Sequence, residues 1–466
     1  MSHQFICFPL VTGIKFSHFT RKVLTERFLG LIDARTSQRF NPQGMASFHS
    51  NDQFPNIVNS SQYPSIIRTH THGNTIIDII LESLPEMTAV KIIPILVSNV
   101  EERGLLLREL SLAFNCVREI STKCADSQSI IIMSQGIGFG SHDGTENIDI
   151  LMQDFSEENP SVLFFVSAGN EAKEDRHSRI RLEKSEKYII PFGLHLKSQP
   201  EYFGMYYSSL SNCSFAIYNG SQRIFNGDLE GRNHLEFVHQ FLERNIELCV
   251  EWVKQSPSKP NTSSLLVKFS RCQSTSDIKL ELTSLRIEII CTQVCSDFPY
   301  IDAYARKSFP KRSSQNIRGG VRFYQHVSND ISLSESGNNE SAIVITASQM
   351  KDGELTIMES SSRGSTRRQL PIQPTLTYNL SERTHRNGTS FAVSYFVGDL
   401  VPILLEVYQR FNPLTQLSQN EIKEALSRTS TRSLESCSYF GYGELDKERL
   451  RFHLLDILRR DFPSNA

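Results

Sequence analysis

The sequence predicts an α/β fold, a parallel sheet with helices on both faces, interrupted by an antiparallel β-sandwich insert. Three observations predict it. Between residues 28 and 175, short and nearly continuous apolar runs alternate with amphipathic stretches, as in strands buried on both faces and the helices that cover them. After about residue 176 the pattern switches to strict apolar–polar alternation, which suits strands with one dry face and one wet face. Near Ala342 the first pattern returns. The domain reading is therefore a discontinuous α/β domain, 20–175 and 341–455, around a β-rich domain at 176–340, a jelly-roll-like insert.

Taken in order, Phe28–Ile32, Val90–Val97, Ile130–Met133 and Val162–Ser167 are predicted core strands. Ser98 with Glu101 three residues later forms a capping box that opens a helix through Leu105, Leu106, Leu110 and Phe114. Thr145 precedes a second helix, whose apolar face carries Ile148, Leu151, Met152 and Phe155 and which Asn159-Pro160 ends. In the insert, Ile246–Trp252, Ile278–Leu282 and Leu285–Ile289 alternate with period two, and turn-rich stretches such as Gln255–Asn261 separate the strands. Ala342–Ser348 is a further buried strand. From Phe391 to Leu405 a helix is apolar nearly all round, the mark of a buried helix, and Pro402 is expected to kink it.

Composition narrows the function classes. Hydrophobic residues at 39% and charged residues at 21% describe an ordinary globular protein, and 466 residues leave room for more than one domain. A formal net charge of −2 lacks the basic footprint of a nucleic-acid binder, so no nucleic-acid partner is expected. No apolar run is read as reaching the roughly 20 residues needed to cross a bilayer, and no membrane partner is expected. The N-terminal MSHQFICFPLVTG has no basic residue before its apolar stretch and is broken by proline, unlike a secretory leader. Nine scattered cysteines are odd in number and form no disulfide framework. Reduced thiols in the cytoplasm are therefore expected, and the close pair Cys291 and Cys295 lacks the second pair of a zinc site.

Four polar fragments remain: Asp33 in FLGLIDAR, His72-Gly73 in THTHGN, Asn170 in FFVSAGNE and Ser390 in NGTSFAVSYFVG. Each has a plain structural role available. Asp33 at a strand end can form a turn, His72 can be a surface residue and Ser390 can be an N-cap. Together they offer a carboxylate, an imidazole, a side-chain amide and a hydroxyl in the order Asp…His…Ser, which is the subtilisin order. With them come Ser361-Ser-Arg-Gly364 after the AIVITAS strand and Gly441-Tyr-Gly443 near the end.

On these residues the chain resembles the subtilisin-like serine proteases (subtilases, peptidase S8), over about residues 25–175 and 340–450. The insert is similar to the jelly-roll inserts of their germination-protease branch. The resemblance implies a serine endopeptidase that works through an acyl-enzyme. Ser390 would be the nucleophile, His72 its base, Asp33 the carboxylate that orients the base, and Asn170 the oxyanion donor beside the backbone N–H of Ser390. His70, which no glycine follows, is the less suitable base. Ser134, Gln135 and Gly136 on one side and Ala168 and Gly169 on the other would form the specificity-pocket walls and bind substrate backbone as an added strand. The implied partner is a protein or peptide substrate.

The chain departs from the family at Ala34-Arg35 after the aspartate, at Asn74 to Asp78 after His72-Gly73, and at Tyr395 after the nucleophile motif. No catalytic atom is lost. No cofactor is expected, and no calcium loop has recognisable spacing, although subtilases often bind calcium. With only some two dozen residues before the first predicted core strand, the usual inhibitory prodomain is expected to be absent, and a regulatory protein acting through the insert could supply restraint. The alternative is a pseudoprotease, a binding module on the same scaffold.

Overall fold

The computed structural model describes residues 4–11, 32–34, 71–84, 90–97, 103–134, 140–196, 200–227, 234–241, 246–254, 262–272, 280–305, 320–328, 332–364, 375–381, 387–411, 416–431 and 441–461. The main sheet takes its first strand from the N-terminal octapeptide, β1 (Gln4–Val11). Its side chains alternate across the sheet, with Phe5, Cys7 and Val11 in one core and Ile6, Phe8 and Leu10 in the other. The expectation that the first core strand is Phe28–Ile32 is corrected in its order only: an earlier strand occupies the middle of the sheet, Ile32 begins a later one, and residues 28–31 lie outside the described residues. Proline lacks the N–H that a strand paired on both sides uses, which argues against a central strand here. Pro9 nevertheless sits in register opposite Ile132.

Strand β2 (Ile32–Asp33) follows, then helix α1 (Thr71–Ser83), β3 (Val90–Ile92) and β4 (Ile95–Leu96). Pro94 interrupts what the sequence presents as one strand, and both halves pair with β1. Helix α2 (Arg103–Lys123), β5 (Ser127–Met133), α3 (Asn147–Glu158) and β6 (Leu163–Ser167) complete the first α/β part. Helix α3 carries its own capping box, Glu146 with Asp149, and buries Ile148, Met152 and Phe155 as its periodicity predicts. The Ser98–Glu101 box lies outside the described residues.

The middle of the chain is all β: β7 (His177–Arg181), β8 (Lys187–Leu196), β9 (Glu201–Ser208), β10 (Asn212–Asn219), β11 (Gln222–Gly227), β12 (His234–Phe241), β13 (Ile246–Val253), β14 (Thr262–Arg271), β15 (Leu280–Gln293), β16 (Tyr300–Ala305) and β17 (Gly320–Phe323). They form a five-stranded sheet, β11-β10-β15-β8-β17, and a six-stranded sheet, β12-β13-β14-β9-β16-β7, over one apolar core that includes Phe192, Phe203, Phe215 and Trp252. The two expected strands on either side of Thr283 are one strand, β15, whose register shifts between Leu282 and Leu285. The expectation of reduced thiols also needs correcting. Cys213 and Cys291 stand opposite each other on β10 and β15 and form a disulfide. Cross-strand register, invisible in the spacing, brings them together.

The α/β pattern resumes with β18 (Ile343–Lys351), β19 (Glu354–Ile357), β20 (Thr375–Asn379), α4 (Thr389–Arg410), α5 (Gln419–Thr429) and α6 (Lys447–Asp461). The main sheet runs β19-β18-β6-β5-β1-β4-β2, with β20 beside β18, β3 beside β1, and β19 its antiparallel strand. Helices α1, α4, α5 and α6 cover one face, and α2 and α3 the other. By length and composition α4 could cross a membrane, contrary to the expectation that no run is long enough, but 78% of its apolar window is buried inside the protein. It is a core helix. Its hydrogen-bonded span continues through Pro402 to Arg410.

Candidate active site

Parallel strands present their carboxyl ends along one edge of a sheet, where loops are free to carry chemistry. Ser134 follows β5, Ala168-Gly169-Asn170 follows β6, and Asp33 ends β2, in register with Leu96. Two helix N-termini join this edge, with His72 in the first turn of α1 and Ser390 in the first turn of α4. The two helices pack closely because Gly398 has no side chain; a Cβ there would lie 2.4 Å from Cβ of Ser83.

The turn into α4 is tied to the loop after β6. Gly388, the N-cap, has φ +141°, and a Cβ on it would stand 3.5 Å from Asn170 Oδ1. Glycine allows that backbone at little cost. Next, the Thr389 N–H donates to Asn170 Oδ1 at 3.0 Å. A backbone N–H can only donate, so the oxygen of this amide must face it, and the side chain's orientation is thereby assigned. Asn170 Nδ2 makes no hydrogen bond among the described residues and remains available as a donor. Thr389 Oγ1 adds contacts to the Gly169 N–H and carbonyl, both at 3.2 Å.

Ser390 is buried, and its Oγ donates to the Ser134 carbonyl at 2.8 Å. It stands where α4 leaves its first N–H groups unpaired, at the positive end of the helix dipole. His72 is half-buried, its ring centroid 5.7 Å from that of Phe391, the residue after Ser390.

The structure therefore gathers Ser134, Ala168, Gly169, Asn170 and Ser390, and brings His72 against the same turn. Asp33 lies on the same edge of the sheet, on its outermost strand, and its side chain is not among the described ones. Gln135, Gly136 and His70 lie outside the described residues. The main chain of Ala168 and Gly169 is already engaged. Ala168 N–H donates to Ile345, Ser334 donates to the Ala168 carbonyl, and Ser362 donates to the Gly169 carbonyl.

Three residues of this site escaped the sequence reading. Thr389 links the two loops. Glu171 Oε2 accepts from the Asn170 N–H at 2.8 Å, and Ser362 Oγ accepts from the Glu171 N–H at 3.2 Å. Gly169, at φ +104°, leaves room for that carboxylate, since a Cβ would meet Glu171 Oε2 at 2.6 Å. Each missed residue lies inside a motif already singled out, as the Glu of AGNE, the Thr of GTS and a serine of the Ser361-Ser362 loop.

The loop after β5 also carries the contact with the sandwich. Asp143 accepts from Ser141 Oγ, the Thr145 N–H and hydroxyl, and, at 3.0 Å, from Thr262 Oγ1 at the start of β14. Beside it Tyr304 is stacked between two histidines, His142 at 3.9 Å and His177 at 4.3 Å between centroids. His177 Nε2 meets buried Asp302 at 2.9 Å, and Arg179 approaches the same carboxylate at 3.7 Å. Burial, with the neighbouring His177 adding to it, pushes His142 down to about 3, so its ring is neutral at ordinary pH. Among the described residues, ligand atoms close enough to share a metal ion occur at His234, Glu236 and Glu251, all exposed on β12 and β13.

No protein-family model matches the sequence, and no curated protein matches it. Among solved structures, the chain is similar to the CspB protease of Clostridium perfringens, with a TM-score of 0.69 and 16% identity over 97% of this chain and 95% of that one. A lanthipeptide protease superposes with a TM-score of 0.38 and 10% identity, over 97% of this chain and 87% of that one, a likeness too loose to carry an argument. The first likeness shows a shared fold across nearly the whole of both chains, sandwich included.

Proposed function

We propose that the protein is a serine endopeptidase of the subtilisin-like type, acting on protein or peptide substrates. One observation carries this reading most. The Asn170 amide is oriented by the N–H of Thr389, so that its remaining donor belongs to the same turn as the Ser390 hydroxyl. The fold shared with a protease supports it.

In this reading Ser390 Oγ attacks the scissile carbonyl while His72 takes its proton, and Asp33 holds the imidazole in the needed tautomer. The oxyanion forms between Asn170 Nδ2 and the Ser390 N–H, helped by the dipole of α4. His72 then returns the proton to the leaving amine, and water hydrolyses the acyl-enzyme by the same path. Ser390 Oγ must first leave the Ser134 carbonyl, its partner at rest. Ala168 and Gly169 would serve as a wall of the substrate cleft; an added substrate strand would have to compete with their existing hydrogen bonds.

The bond from Ser390 to Ser134 also favours a second reading, in which the hydroxyl is a structural group and the cleft only binds. Labelling with a fluorophosphonate probe separates the two. A catalytic Ser390 gives stoichiometric labelling that Ser390→Ala abolishes and His72→Ala strongly slows. Absence of labelling in folded wild-type protein would overturn the endopeptidase reading and leave the binding module.

A further inference from the structure

Several strand ends converge at one end of the sandwich. Tyr207 lies near the end of β9, Cys213 near the start of β10, Trp252 near the end of β13 and Ser263 near the start of β14. Between the two sheets they leave a cavity of about 270 Å³. That is near the lower end of ligand-pocket sizes, suited to one ring or a short chain.

The floor is a buried aromatic pair, with Trp252 Nε1 donating to Tyr207 Oη at 2.8 Å. Burial raises the Tyr207 hydroxyl to about 12, so it stays neutral. The disulfide between Cys213 and Cys291 ties one wall across β10 and β15. Among the described residues the lining contains one charged side chain, Lys254, and no carboxylate. Lys254 is half-buried and has no acidic partner among the described residues. Its backbone is fixed by Ser263 Oγ, which donates to the Lys254 carbonyl at 2.6 Å. Rim amides and hydroxyls such as Asn212, Asn226 and Thr292 can hydrogen-bond an occupant without adding charge.

A single cation matched by no anion among the described residues calls for one negative charge, and a dianion would remain half-balanced in this small space. The aromatic floor calls for an apolar body. We propose that this mouth is a binding site for a small organic carboxylate, its charge on Lys254 and its body against Trp252. The carboxylate belongs either to a free acid or to the C-terminus of a peptide chain. Such an occupant would sit one residue from Thr262, whose hydroxyl holds Asp143 of the main domain. The proposal does not depend on the chain being a protease.

Trp252 is the chain's one tryptophan, so indole emission reports on this pocket alone. The full-length Ser390→Ala protein, which prevents any turnover, is titrated with hexanoate, hexanamide, an acetylated tetrapeptide ending in leucine with a free carboxylate, and the same peptide as its amide. The expected result is a saturable emission change for at least one acid, with half-saturation below about 10 mM and each amide at least about tenfold weaker. Saturation by hexanoate alone assigns a free acid, and by the peptide acid alone a chain terminus. Lys254→Met and Lys254→Gln should each weaken the acid at least about tenfold. No saturable change with either acid overturns the proposal, as do amides that match the acids. The acid–amide comparison uses unaltered Lys254 and so holds whether or not the lysine variants fold. A folded Lys254 variant that binds as well as its parent also overturns it.

Discussion

Asn170 does two jobs with the two atoms of one amide: Oδ1 holds the Thr389 N–H, and Nδ2 remains to donate. Substitutions can separate them. Asn170→Asp keeps an acceptor for Thr389 but removes the donor. Asn170→Ala removes both. Turnover is expected to fall by roughly 10²–10³ in each case, with a smaller change in KM. Only the alanine variant should also loosen the turn into α4, seen as faster amide exchange around Thr389 and Ser390. Retained turnover in folded Asn170→Asp would remove Asn170 from the oxyanion site. At this scale much was legible. AGNE and GTS named Asn170 and Ser390, because a side-chain amide and a hydroxyl in short glycine-bearing turns are compact sequence signals. The Ser390–Ser134 contact was not, since it joins residues 256 apart and uses a carbonyl that every residue carries.

Among the elements, α1 and α4 set the distance between imidazole and hydroxyl, and Gly398 sets how closely they pack. Alanine is the better helix former by about 1 kcal/mol, so Gly398→Ala would stabilise an exposed helix. Here the new methyl would fall 2.4 Å from Ser83 Cβ and 2.5 Å from its Oγ. Overpacking should win, giving a net loss of about 1–3 kcal/mol by urea unfolding. Adding Ser83→Gly should restore most of that loss, because the two changes share one contact. A simple sum of the two effects would show that the helices do not meet there. Helix α3 was readable because its apolar face recurs regularly, and α4 because its apolar run is long and nearly continuous. Strand β1 was not, because Pro9 mimics a strand breaker and an apolar octapeptide is too short to reveal its neighbours.

At the scale of the molecule, the seam between the sheet and the sandwich depends on a histidine buried in its neutral form. His142 ordinarily titrates near 6.5 and is lowered to about 3 when buried. The contribution is therefore complete above the unfolded value and is lost as pH falls below 6.5, where the unfolded chain takes up a proton that the folded one refuses. Between pH 7 and pH 4.5 this amounts to about 2–3 kcal/mol. The groups facing His142 are His177, Asp302 and Glu146, with Tyr304 stacked on it. His142 has φ +50°, a backbone that asparagine tolerates, so His142→Asn is the suitable comparison. Urea unfolding should show the variant losing less stability than wild type over this pH range, by about that amount. Identical pH profiles would place the titration elsewhere. A second seam contact, Thr262 to Asp143, predicts that Thr262→Val destabilises by about 1–3 kcal/mol, since a buried carboxylate oxygen loses a donor.

The amino-acid sequence by itself determined the alternation of α/β and β-sandwich patterns and the order of the polar motifs. Those signals are local: side-chain period follows backbone geometry, and a motif occupies a few consecutive residues. Only the tertiary structure decided which strand lies at the centre of the sheet, that Cys213 faces Cys291, and that Tyr304 is held between two histidines. Each depends on register and packing between distant segments, and no short window of sequence contains both partners.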